Sequence, residues 1–185
     1  ARGAEIGDVT LAANAILMNL QAFLAYGLDG FAHAAEILAG GAVGARSRAA
    51  FREAVRISTL WALTTALSIA LVYALLGPAV IALFTVVEEV RDAAEAYLPW
   101  MVASPIVSVW SFQLDGIFIG ATRTAAMRNA MIASLLIYLA ACWLLIPALG
   151  NDGLWLSFLI FMTARAVTLG AAYPRLERAV APEPG

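Results

Sequence analysis

The sequence predicts an all-α membrane protein with five transmembrane helices, on three observations. Hydrophobic residues make up 63% of the chain and charged residues 13%, with a mean hydropathy of +0.86. A water-soluble domain is roughly half apolar and about a quarter charged, so most of this chain has no water-facing side. The apolar residues also fall into long uncharged runs, and crossing a hydrocarbon core takes about 20 such residues. Finally, arginines crowd alternate connections between those runs, the pattern of a chain that crosses a membrane repeatedly.

The same composition excludes other classes. A net charge of −2, with 11 basic and 13 acidic residues, leaves no electrostatic footprint for nucleic acid. A lone cysteine, Cys142, allows neither an internal disulfide nor a thiolate cluster. The sequence contains no GxSxG, HExxH or P-loop motif, so no enzyme and no cofactor is expected. It opens Ala1-Arg2-Gly3, without an initiator methionine or a signal-peptide pattern, and is expected to be a piece of a longer protein.

The first span is read over residues 9–45, after an extracytoplasmic stub at 1–8. At 1.5 Å per residue it would measure about 55 Å, longer than a bilayer core. Gly27, Gly30, Gly40, Gly41 and Gly44 offer places to bend; otherwise its end projects into the cytoplasm. The second span, 57–85, carries Gly77-Pro78 near its outer end. The third, 96–122, carries Pro99 and Pro105, which predict a kink in its first half. The fourth, 129–149, holds Pro147, and the fifth, 153–173, is interrupted once by Arg165. Residues 175–185 form the tail.

Orientation follows from arginine placement. Arg46, Arg48, Arg52, Arg56, Arg123, Arg128, Arg175 and Arg178 lie at one end of the spans. Arg2 and Arg91 lie at the other, accompanied by Glu88, Glu89, Asp92, Glu95 and Asp152. The expected topology therefore has the N-terminus outside and the C-terminus in the cytoplasm.

The first span carries a polar stripe. Asn19, Tyr26, Asp29, His33 and Glu36 are spaced 7, 3, 4 and 3 residues apart and share one helix face. A lipid-facing helix has no use for such a stripe, which must meet other helices or a water-filled cavity. Asn14 and Gln21 occupy a neighbouring line and suit inter-helix hydrogen bonds. In the third span Ser104, Ser108, Ser111 and Asp115 also share a face. An intramembrane carboxylate such as Asp115 is costly to ionise, so it can hold a proton or a sodium ion as its surroundings change. Its other reading is a structural ion pair with Arg165, for which Asp115, Asp29 and Glu36 are all candidate partners. Gly40/Gly44 and Gly116/Gly120 fit the GxxxG helix-contact pattern.

Three segments carry a family resemblance. Residues 11–46, LAANAILMNLQAFLAYGLDGFAHAAEILAGGAVGAR, resemble a characteristic helix of the multidrug and toxic compound extrusion (MATE) family, in its DinF-like branch. Residues 95–131, EAYLPWMVASPIVSVWSFQLDGIFIGATRTAAMRNAM, are similar to that branch's tenth helix and following loop. Residues 138–170, YLAACWLLIPALGNDGLWLSFLIFMTARAVTLG, are similar to its last two helices.

The resemblance implies most of the C-terminal lobe of a twelve-helix secondary antiporter built from two six-helix lobes, in the inner membrane of a bacterium. The N-terminal lobe and the seventh helix would be the missing partners, the lipid bilayer the surroundings, and a small amphipathic or cationic compound the substrate. Asp115 matches a tenth-helix aspartate that takes part in cation binding in the family. Asp29 and Glu36 are then expected to share the coupling of a proton or sodium. Asn19, Tyr26, His33, Ser108, Ser111, Trp110 and Phe112 are the expected cavity lining, with Arg165 as charge partner. The rival expectations are a lipid-linked sugar flippase of the same superfamily, which would want a more cationic cavity, and a non-transporting membrane scaffold.

Overall fold

A computed structural model describes residues 2–180, with side chains described from residue 7 onward. Six helices follow one another: α1 (Arg2–Gly44), α2 (Arg48–Phe84), α3 (Glu88–Ala96), α4 (Leu98–Gly120), α5 (Thr124–Leu149) and α6 (Asn151–Ala179). All but α3 are long and apolar enough to cross a membrane, and among the described residues there is no strand. Helices are what such a sequence must form, because hydrocarbon offers no partner to an unpaired backbone group.

Several helix bounds differ from the sequence expectation. α1 starts at Arg2, inside the expected stub, and runs unbroken past all its internal glycines for 43 residues, about 64 Å. α2 starts at Arg48, where the Ser47 hydroxyl accepts a 3.2 Å hydrogen bond from the Ala50 N–H. α6 continues through Pro174 into the expected tail, whose residues 181–185 lie outside the described residues, as does Ala1 of the stub. The connection expected between the second and third spans holds α3, a short acidic helix that buries Val90 and Ala94. Pro99 does not kink a span; it opens α4 in its first turn, where a missing N–H costs nothing. α4 remains helical across Pro105, which is buried.

Two helices end in the same way. After α1, Ser47 N–H bonds to Ala42 C=O at 3.1 Å and Arg46 N–H to Val43 C=O at 3.0 Å. After α4, Arg123 N–H bonds to Phe118 C=O at 2.9 Å and Thr122 N–H to Ile119 C=O at 2.8 Å. These are paired C-terminal caps, and each needs one residue in the left-handed region. Arg46 and Thr122 fill that place, both at φ 56°.

α4 is the centre of the bundle, packed by α1, α2 and α6, while α5 leans mainly on α6. The α1–α4 contact is backbone against backbone. A Cβ on Gly116 would stand 2.1 Å from Ala32 O, and one on Gly120 2.2 Å from Glu36 O. Gly40 in turn faces Gly120 O, whereas Gly44 meets nothing, so only half of the first GxxxG pattern is used.

The two ends of the bundle are clamped differently. At the arginine-rich end Arg52 Nε donates to Glu177 Oε1 at 2.5 Å, tying α2 to α6. Arg48 donates to the carbonyls of Arg178 and Val180 at 2.9 and 3.3 Å, satisfying the exposed end of α6. At the other end Asn14 and Asn151 exchange two hydrogen bonds of 2.6 and 3.0 Å, and Trp155 Nε1 donates to Asn14 Oδ1 at 3.1 Å. Trp100 Nε1 donates to Asp152 there at 2.8 Å.

Candidate functional site: a buried ion pair beside a polar helix face

Asp115 and Arg165 meet between α4 and α6. Arg165 Nη2 lies 2.7 Å from Asp115 Oδ2 and Nε donates to Oδ1 at 3.2 Å, a two-pronged pairing of guanidinium and carboxylate. The side chains are only 16% and 20% exposed for Asp115 and Arg165. Of the three acids open to Arg165 from the sequence, the fold selects Asp115. The next residue, Gly116, seats α1 on α4.

Around this pair the α1 stripe points away from the bundle. Asn19, Tyr26, Asp29 and His33 are exposed and Glu36 is half-buried. Asn19 Nδ2 donates to Ala15 O at 3.0 Å, and His33 Nδ1 stands 3.4 Å from Glu36 Oε2. Tyr26 is 76% exposed, and Leu11, Met18, Phe23 and Ile37 of the same helix are exposed with it. The opposite face of α1 buries Leu17, Leu20, Leu24 and Leu28.

Four of the expected lining residues sit elsewhere. Ser108 and Ser111 are buried in helix packing. With Ser104, which donates to Gln21 Oε1 at 2.7 Å, they are small side chains that let neighbours close on α4. Phe112 packs on the cluster of Leu24, Leu28 and Val109. Trp110 lines a separate groove between α2, α4 and α6. Five residues along a helix is about 140° of rotation, which carries Trp110 well away from Asp115.

Other polar residues act as inter-helix ties. Asn14 and Gln21 hydrogen-bond across helices as their positions suggested. Sequence reasoning missed Gln113, which donates to Ser58 Oγ at 2.6 Å, and Tyr73, which donates to Leu20 O at 2.7 Å. A lone glutamine inside an apolar run was the available signal for the first. Among the described residues no group of three or more His, Cys, Asp or Glu could hold a metal ion.

Comparison with known proteins agrees with this architecture. A MatE family profile matches residues 3–144. The chain is 41% identical over 173 residues to DNA damage-inducible protein F of Escherichia coli (strain K12), covering 94% of this chain and 38% of that protein. Its fold matches that of the eukaryotic MATE transporter AtDTX14 with a TM-score of 0.83 at 19% identity, over 94% of this chain and 40% of that one. The chain thus spans about two-fifths of the length of either relative. With a profile match over most of its length and five membrane-spanning helices in the matching arrangement, this membrane protein belongs to the MatE family.

Proposed function

We propose that this chain is most of one lobe of a cation-coupled antiporter that exports amphipathic or cationic organic compounds by alternating access, in the inner membrane of a bacterium with its C-terminus cytoplasmic. The supporting observation is the exposed polar face of α1 beside the shielded Asp115–Arg165 pair. In lipid such a face is costly, so it belongs against a water-filled cavity shared with a second lobe. Asp115 is the group that exchanges Arg165 for a proton or sodium as the cavity changes access. Asp29 and Glu36 pass the cation toward it, and Tyr26 offers an aromatic face to a cationic compound.

The test is efflux of a fluorescent cationic dye by the intact protein in proteoliposomes under an imposed proton or sodium gradient. Asp115→Asn is expected to lower coupled efflux at least about tenfold. Unchanged efflux overturns the role of Asp115. The ion pair also favours one other reading, a scaffold in which the charges only tie helices together. In that case Asp115→Asn combined with Arg165→Gln leaves all activity of the assembled protein intact, whereas the antiporter loses coupling.

A further inference from the structure

At the arginine-rich end of the bundle, the turn between α4 and α5 and the last turns of α6 enclose a pocket of about 260 Å³. Phe118 and Leu176, 1% and 4% exposed, form its base, and the small side chains of Ala126, Ala172 and Ala179 leave it open. Arg123 and Arg175 stand at its rim, both exposed. The pocket lies where the apolar stretches of α5 and α6 give way to charged residues, which is the level of lipid headgroups.

Neither guanidinium has a hydrogen-bond or ion-pair partner among the described residues, although other arginines at this end do. Arg48 donates to the carbonyls that end α6, Arg52 pairs with Glu177, and Arg56 pairs with Glu53. Among the described residues no acidic side chain lines the pocket, and Glu177, nearby on α6, is already engaged by Arg52. α5 begins at the pocket without a side-chain cap or an acid in its first turn, so the positive end of its dipole adds to the two arginines. The result is a small cleft with an apolar base and an unneutralised cationic rim.

We propose that this pocket holds the phosphate headgroup of an anionic phospholipid, with the Arg123 and Arg175 guanidiniums donating to the phosphate oxygens. Basic pockets between membrane helices at headgroup level take such lipids, and guanidinium matches phosphate in charge and donor geometry. The lipid's chains lie on α5, whose outer face beyond the pocket exposes Ile132, Leu135, Leu136 and Leu139. That apolar face sets α5 against the bilayer, and α1, where a second lobe is proposed, contributes nothing to the pocket. A volume below the ~300 Å³ at which pockets for drug-sized ligands begin, together with the cationic rim, disfavours an exported organic cation.

The experiment measures lipid binding to the intact, delipidated protein by native mass spectrometry, with phosphatidylglycerol and phosphatidylcholine of identical chains. Phosphatidylglycerol is expected to bind at least about tenfold more tightly, as two arginines beside an anionic headgroup imply. Arg123→Gln with Arg175→Gln should remove that preference. Arg46→Gln with Arg128→Gln, which deletes as much charge at the same end, should leave it. Ala179→Trp, which fills the pocket and keeps both charges, should weaken phosphatidylglycerol binding too, and it decides if the first double variant does not accumulate. Equal binding of the two lipids by the native protein, as when an acidic segment of the longer protein fills the pocket, overturns the proposal. So does an equal loss in the two double variants, which would mean general surface charge. Displacement of phosphatidylglycerol by sn-glycerol 3-phosphate at comparable concentration assigns the site to a soluble phosphate and overturns the lipid.

Discussion

Asp115 and Arg165 are each tolerable in this bundle only because the other is there. Removing one member of a buried pair strands the other charge, which costs on the order of 3 kcal/mol. Asp115→Asn and Arg165→Gln should therefore each lower the thermal unfolding midpoint of the detergent-solubilised protein, and the double variant should recover most of the loss. Additive losses would mean that the two residues are stabilised by separate partners. The sequence named both residues but left three acids competing for one arginine. Spacing along a helix fixes which face a residue occupies, not which neighbour that face meets. The same limit explains Ser108 and Ser111, which share a helix face with Ser104 as spacing predicts, yet lie buried instead of on a cavity wall.

Single helices are where the backbone shows its constraints. Gly116 and Gly120 hold α1 against α4 at distances that no side chain fits. Gly116→Ala or Gly120→Ala must push the helices apart, with an expected cost of about 1–3 kcal/mol and a drop in folded yield measured by size-exclusion chromatography. The caps predict the opposite sign. Arg46 and Thr122 hold φ 56°, a region that favours glycine. Arg46→Gly or Thr122→Gly should raise stability by about 1 kcal/mol, read as a higher unfolding midpoint. The GxxxG spacings were legible in the sequence. That Gly44 faces open space while Gly40 meets Gly120 depends on where two helices cross, which no single helix specifies.

For the bundle as a whole, the consequence is an asymmetric surface. The outer faces of α2 and α5 are apolar, with Leu60, Leu75, Leu136 and Leu144 exposed, whereas the outer face of α1 mixes exposed Asn19, Asp29 and His33 with exposed Leu11, Met18, Phe23 and Ile37. In the intact protein in native membranes, on a Cys142→Ser background, Asp29→Cys and His33→Cys should react with a membrane-impermeant maleimide. Leu75→Cys and Leu136→Cys should not. Equal reactivity at all four would remove the case for a water-filled cavity beside α1. By itself the sequence determined that this is a helical membrane protein, how many spans it has, which connections share an end, and which face of the first span is polar. Those follow from hydrophobic burial, arginine placement and helical period, all local properties. Only the tertiary structure decided that Asp115 takes Arg165, that Trp110 turns to a different groove, and that Gln113 meets Ser58. Each depends on the rotation and crossing of helices far apart in the chain, set by backbone contacts at a few glycines.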